Sequence, residues 1–324
     1  MLIIDESSTV SNDDMRKVME KANFQLLLLV GDTYQISSIR FGNWFSVARA
    51  FVPETSVFEL TVPYRSNDDN LKLLWERVRN MDDTIMELIA RQEYSITLDA
   101  SIFDNAEDDE TILCLNYDGL YGINNINRFL QESNPNEAVQ WGIQQYKIGD
   151  PVLFNESDRF APVIYNNMKG KIVGIEVFNP DEAAGYIQFD IELAKVINGM
   201  DAWMCDFELL GNSERGYSVI RFKVYKTRST DEDDEGSSRA VVPFQVAYAV
   251  SIHKAQGLEF RSVKIVITDE VDELITHNIF YTAITRAQSK LRIYWTPEVE
   301  NKVLTSIQPR NINKDVGLLR RYIR

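Results

Sequence analysis

Residues 1–10, MLIIDESSTV, run three apolar side chains, Leu2 to Ile4, straight into the adjacent carboxylates Asp5 and Glu6. That order reads as a short buried strand delivering paired acids to its carboxyl end, the edge at which open α/β sheets bind ligands. The pattern returns at residues 24–35, FQLLLLVGDTYQ, where an apolar run ends in Gly31 and Asp32. Between the two, Ser11 is placed to cap a helix in which Met15, Val18, Met19 and Ala22 recur at helical spacing. Two strands apolar enough to be buried on both faces, joined by a helix, make a parallel βαβ unit.

Working outward, VFELTVPYRSNDD (57–69) reads as a third strand broken by Pro63, after which Ser66 caps a helix with Leu71, Leu74, Trp75 and Val78 inward. ETILCLN (110–116) and the amphipathic GLYGINNINRFL (119–130) add another strand and helix. From about Lys147 to about Tyr225 the texture changes to short β-rich runs punctuated by Gly, Asn and Pro, the signature of a small antiparallel barrel or sandwich. From Val241 onward, SVKIVIT, a helix through NIFYTAITRAQ and a strand KLRIYW return to α/β texture. A β module inserted between two halves of an α/β fold fits this order.

At 324 residues, 44% of them hydrophobic, the chain can bury a large core in about two units. The longest apolar run, Phe24 to Val30, is interrupted by Gln25 and falls short of a bilayer span. The start lacks the basic region and longer apolar core of a signal peptide. No membrane partner is expected, and the expected location is cytoplasmic. Cys114 and Cys205 lack CxxC spacing, so neither a disulfide framework nor a zinc site is suggested. A net charge of −15 weighs against nucleic acid, whose affinity rests on phosphate contacts. Much of the excess lies in DNAEDDE (104–110) and DEDDE (231–235), which read as solvated loops and leave room for a locally basic groove. The tail RNINKDVGLLRRYIR (310–324) is one candidate surface.

Several groups could carry chemistry, each with a plainer alternative. Asp5 can hold Mg²⁺ through water while Glu6 takes a proton from an attacking water, or the pair can merely cap a turn. Gly31 permits a sharp turn, and Gln35, three residues past Asp32, can both donate and accept as a terminal-phosphate sensor must. The same GDxxQ is also a common turn. Arg65 could clamp phosphate bidentately, or be a surface arginine. In SIHKAQGLEF (251–260), Ser251, His253, Lys254, Gln256 and Glu259 crowd around Gly257, where a backbone could approach closely. In YTAITRAQ (281–288), Thr282, Thr285 and Arg286 share a helix with apolar Phe280, Ala283, Ile284 and Ala287, and Arg286 could project as an arginine finger. Trp44 and Phe45 suit either base stacking or a core, and His277 reads as structural.

The order of these segments is more telling than any one of them. IIDES (3–7), LLVGDTYQI (28–36), LTVPYRS (60–66), VSIHKAQGLEF (250–260) and YTAITRAQ (281–288) resemble motifs II, III, IV, V and VI of superfamily 1 helicases. The nearest flavour is the RecD-like branch, with relatives in the UvrD group, and the resemblance runs from residue 2 to about residue 295. GDPVLF (149–154) with NNMKGKIVGI (166–175) is similar to the SH3-like barrel that RecD-like enzymes insert in their second motor domain. The resemblance implies an α/β fold of RecA-like P-loop NTPase motor domains, the first one partial at 1–62. The second would comprise 63–146 and 241–296, interrupted by the β module at 147–240 and followed by a tail at 297–324.

The same resemblance implies roles. Asp5 would hold Mg²⁺, Glu6 would activate the hydrolytic water, and Gln35 would read the γ-phosphate of ATP from beside Asp32. Tyr64 would lie near the base, Gly257 and Glu259 on the nucleotide with Glu259 near the ribose, and Arg65 and Arg286 would reach the γ-phosphate. Ser251, His253 and Gln256 would couple the nucleotide to single-stranded DNA, with RNA as an alternative strand, 5′-to-3′ polarity and a monomeric state expected. One departure stands out: no segment reads G-x-x-x-x-G-K-[ST], the loop that cradles phosphates, and Gly170-Lys171 is the nearest dipeptide. The expectation is therefore the carboxyl-terminal part of a longer helicase, cut before motif II and inactive alone. The competing expectation is a short binding module that keeps the fold without turning over ATP.

Overall fold

The opening apolar run forms strand β1 (Leu2–Ile4), which pairs in parallel with β2 (Leu27–Leu29) so that Ile3 faces Leu28. Helix α1 (Asn12–Lys21) joins them, and Ser11 caps it by accepting the Asp14 N–H. The expected burial on both faces is not found. Ile3 and Leu28 are 53% and 47% exposed, because this sheet has only two strands among the described residues and one face of the pleat stays open. On α1, Met15 is buried while Met19 is exposed. The computed structural model describes residues 1–38, 42–104, 109–155, 158–182, 184–226, 239–308 and 311–322.

A short helix α2 (Trp44–Ala48) buries Val47. Residues 57–65 then form no strand, and Phe58, Leu60 and Tyr64 are 87%, 89% and 91% exposed. Local β propensity supplies no partner edge, and without one the alternation cannot become a sheet. Helix α3 (Asp69–Asn80) buries Leu71, Leu74, Trp75 and Val78 as their spacing predicts. Its cap is Asp68 rather than Ser66: Asp68 Oδ1 accepts from the N–H groups of Asn70 and Leu71. Ser66 works one step earlier, accepting the Asp68 N–H and donating to the Gln288 carbonyl.

Helix α4 (Ile85–Arg91) leads to β3 (Ser95–Thr97) and β4 (Glu110–Cys114). Residues 105–108 of the first acidic run lie outside the described residues, but Glu110 is not solvated. Its carboxylate sits 2.7 Å from the buried Lys264 ammonium and accepts from Ser262 Oγ. Two opposite charges can enter a sheet only as such a hydrogen-bonded pair.

The chain divides into two compact units, Met1–Tyr117 with Ser251–Arg324, and Asp118–Val250. The second is wider than the 147–240 expected. It takes in helix α5 (Ile123–Ser133) and the hairpin of β5 (Ala138–Trp141) and β6 (Gln144–Lys147). Then follow β7 (Pro151–Phe154), β8 (Lys169–Phe178), β9 (Tyr186–Leu193), a turn of helix α6 (Gly199–Ala202), β10 (Glu208–Asn212), β11 (Ser218–Tyr225) and β12 (Phe244–Val246). These build an antiparallel sheet of order β10-β11-β9-β8-β7-β12 over a core of Phe154, Phe160, Phe189, Phe222 and Phe244. Residues 241–250 belong here, not to the α/β half, because β12 pairs with β7, Phe244 opposite Phe154. The second acidic run, 231–235, lies outside the described residues.

One buried carboxylate ties this unit together. Asp150 accepts from Gln131 Nε2 and Asn134 Nδ2 of the α5 region, from Tyr248 Oη and from the Lys147 N–H. Gly149, at φ 93°, makes the turn that aims it inward.

The chain leaves this unit through β13 (Ala249–Ser251) and continues as β14 (Phe260–Val266), α7 (His277–Ile284), β15 (Ala287–Trp295), α8 (Pro297–Ser306) and α9 (Asn313–Tyr322). Strands β4, β14, β15 and β3 lie side by side, all parallel, as the α/β texture requires. Among the described residues no helix is long and apolar enough to cross a membrane.

Asp150→Ala takes the acceptor from the Tyr248 hydroxyl and the Lys147 N–H, while Gln131 Nε2 and Asn134 Nδ2 keep the Gln145 and Ile148 carbonyls, and each buried orphan costs about 1–3 kcal/mol. The variant is expected to lower the thermal midpoint read by circular dichroism. An unchanged midpoint would show that the carboxylate holds nothing.

Candidate active site

The carboxyl ends of β1 and β2 set Asp5-Glu6 and Gly31-Asp32 on one edge of the same sheet. Asp5 Oδ1 accepts the Glu6 N–H at 2.8 Å, and Glu6 adopts a left-handed backbone, φ 50° and ψ 37°. For a non-glycine residue this conformation costs about 1–2 kcal/mol. Such an outlier at a carboxylate directs attention to what the side chain meets. Burial pushes the Glu6 carboxyl above the usual glutamate range, Arg286 pulls it back down, Asp5 raises it again, and Arg65 and Asp32 act more weakly. Five charged residues from four sequence motifs therefore share one field. A Cβ built on Gly257 would lie 3.6 Å from Glu6 Oε1, and Gly257 has φ +76°. The glycine thus brings the 251–260 turn against the acid.

Arg65 and Arg286 are the cations acting on Glu6. Arg65 Nε donates to Glu259 at 3.1 Å and its Nη1 to the Thr285 carbonyl at 2.8 Å. Arg286 is fully buried, with Nε on the Thr282 carbonyl, Nη1 on the Leu258 carbonyl and Nη2 on Thr285 Oγ1. Burial and the neighbouring Arg65 bring its pKa down to about 10, so it stays cationic at neutral pH. The projecting finger expected from the sequence is here a tucked one. A buried guanidinium must satisfy its donors, and in this state protein carbonyls and a hydroxyl do so.

Gln35 lies in the loop after β2. Its Nε2 is 3.4 Å from Asp32 Oδ2, while its Oε1 is buried with no hydrogen-bond partner among the described residues. Asp32 also accepts the Tyr34 N–H at 2.9 Å, which tightens the turn. Gln256 Nε2 donates to the Ile36 carbonyl at 2.8 Å, linking the 251–260 turn to the same loop. Ser251 is buried and accepts the Lys254 N–H, and the half-buried His253 has its pKa lowered by burial, which keeps it neutral at pH 7. Tyr64 is not drawn in: it is 91% exposed. His277 is structural as read, with Nε2 2.8 Å from the Val78 carbonyl.

Sequence reasoning missed Asn278 and Tyr34, and gave Thr282 a place on the helix but no role. Asn278 Nδ2 contacts the carbonyls of Thr33, Tyr34 and Gln35, Thr282 Oγ1 accepts the Ile36 N–H, and Tyr34 packs against His277 and Tyr281 beneath the Arg79 guanidinium. The available signal was a polar Asn and Thr four residues apart on one helix face. Their partner lies more than 240 residues away in the chain.

Among the described residues no group of three or more His, Cys, Asp or Glu could hold a metal ion by itself. Magnesium needs no such cage, since it keeps most of its waters and takes one or two carboxylates plus phosphate oxygens. Asp5, with Asp32 on the same edge, is a donor set of that kind.

Residues 246–294 match the UvrD-like helicase C-terminal domain family, and residues 1–96 match the AAA domain family. The RecBCD enzyme subunit RecD of Mycolicibacterium smegmatis is 23% identical over 90% of the chain and 49% of its own length. The chain is similar to RecD/UvrD-like superfamily 1 helicases. It spans about half the length of that RecD. The crystal structure of Pif1 helicase from Candida albicans superposes with a TM-score of 0.60 at 17% identity, covering 99% of this chain and 76% of that one. Pif1 helicase from Bacteroides, in complex with ADP-AlF3 and single-stranded DNA, gives 0.53 at 14% identity over 99% and 75%. At these identities the two likenesses speak to the helicase motor fold.

The balance at Glu6 is directly measurable. A ¹³C NMR titration is expected to place the Glu6 carboxyl above the ordinary glutamate range, and Arg286→Gln, which removes the opposing cation, to move it higher still. A midpoint that fell on losing Arg286 would contradict the field described here.

Proposed function

We propose that the chain carries the hydrolytic side of an ATP-dependent DNA helicase motor that moves along single-stranded DNA, with 5′-to-3′ polarity from the family resemblance. The triphosphate cradle would come from a G-x-x-x-x-G-K-[ST] segment that these 324 residues do not contain. The observation that carries the reading is the buried Oε1 of Gln35, without a hydrogen-bond partner among the described residues, in the loop that leaves the sheet edge carrying Glu6. A buried acceptor in the loop after Asp32, with a carboxylate of raised pKa on the same sheet edge, suits one attacking water, which can donate one hydrogen to each.

In this mechanism Glu6 takes the proton as the water oxygen bonds to the γ-phosphorus and the bond to the bridging oxygen of ADP breaks. Gln35 fixes the line of attack through Oε1. Arg65 and Arg286 carry fixed positive charge to the phosphoryl oxygens, which requires Arg286 to exchange carbonyl partners for phosphate ones. Bound at Asp5 through water, magnesium would neutralise phosphate charge. Gln256, hydrogen-bonded to the Ile36 carbonyl, offers a route from the nucleotide loop to the segment read as strand-contacting. The strand itself is inferred from the relatives, among them the Bacteroides Pif1 complex. We also read Asp118–Val250 as the inserted SH3-like module of RecD-like enzymes.

The test is ATP hydrolysis with and without single-stranded DNA in the protein that includes a phosphate loop. Glu6→Gln keeps the shape and removes the base, and is expected to lower kcat by about 10²–10⁴-fold. DNA-stimulated turnover that survived the change would remove Glu6 from the role. The 324-residue chain alone is expected to turn over no ATP, and magnesium-dependent hydrolysis by it would refute the need for the cradle.

A further inference from the structure

Thr282 joins two parts of the site through one residue. Its Oγ1 accepts the Ile36 N–H at 2.9 Å, and its carbonyl accepts from Arg286 Nε at 3.0 Å. One helical turn earlier, Asn278 Nδ2 lies 3.2, 2.9 and 2.8 Å from the carbonyls of Thr33, Tyr34 and Gln35. Three carbonyls converging on one nitrogen accept only a donor. An aspartate of the same shape would set negative oxygen against all three.

We propose that Asn278 and Thr282 are positioning residues: they clasp the backbone of residues 33–36 onto α7, so that Gln35 and Arg286 keep one spacing. This rests on the helicase reading for its catalytic meaning, but the clasp itself is a property of the chain. Both residues sit on the same face of α7, whose first turn Thr276 caps by accepting the Ile279 N–H. Tyr34 closes the clasp from the side, 6.2 Å from the His277 ring and 6.1 Å from the Tyr281 ring. Neither Asn278 nor Thr282 has to touch nucleotide. A shift of about 1 Å in such a support is enough to cost about 10²-fold in rate.

The experiment compares Asn278→Asp, Thr282→Val and Thr282→Ser with the unchanged protein. In the 324-residue chain, amide exchange followed by mass spectrometry reports the peptide containing residues 33–36, with α3 as internal control. Asn278→Asp and Thr282→Val are expected to speed exchange there about tenfold and leave α3 unaffected. Thr282→Ser, which keeps the accepting oxygen, is expected to restore protection. In the loop-bearing protein the first two are expected to lower kcat about 10²-fold with KM for ATP little changed, a split that general loss of folding does not give. Unaltered protection in Asn278→Asp overturns the clasp, and lost protection with unaltered kcat overturns its positioning role. If the unchanged loop-bearing protein hydrolyses no ATP, the helicase reading fails, while the exchange comparison still decides the clasp.

Discussion

Ile36 is held at both ends of its peptide by side chains from far along the chain. Its N–H goes to Thr282 and its carbonyl to Gln256. A loop fixed by its backbone tolerates change in its side chains but not in its position. That lets one short segment carry a polar group whose orbital direction matters while neighbouring residues pack as aromatics. The apposition of β1, β2, the 251–260 turn and α7 depends on this fastening, because the two strands alone make a sheet too small to be stable on its own.

The electrostatics follow from the same closeness. Glu6 is half-buried among two acids and two arginines, and the net effect on it is a balance of burial against Arg286. Arg286 in turn is fully buried and spends its donors on two carbonyls and a hydroxyl. Neither arrangement is the cheapest way to build a stable core. Both make sense where charge must be ready before a ligand arrives and must change partners when it does.

Much of the site was legible in the sequence because its parts are local. An apolar run ending in two acids, a glycine before an aspartate, and an arginine closing a helix each carry their meaning within a few residues. The helix over 69–80 and the parallel strands of the α/β half followed from periodicity alone. Where the reading failed, the deciding partner lay elsewhere. VFELTV has strand propensity but no edge to pair with, Ser66 yields the cap to Asp68, and Glu110 is drawn from a presumed acidic loop into the sheet by Lys264. The β module outgrew its expected limits because Asp150 and the β7–β12 pairing recruit residues on both flanks. Asn278 was invisible for the same reason: its three acceptors are distant backbone carbonyls, which leave no trace in side-chain pattern.

The proposal at the centre is that Gln35, through the attacking water, and Arg65 and Arg286, through phosphoryl oxygens, favour the γ-phosphate as it is transferred over nucleotide in general. The most direct test is equilibrium binding of magnesium ADP with and without aluminium fluoride to the loop-bearing protein and to Gln35→Ala. The unaltered protein should prefer the transition-state mimic by about 10²-fold or more, and Gln35→Ala should bind ADP normally while losing most of that preference. A preference left intact by Gln35→Ala would contradict the account.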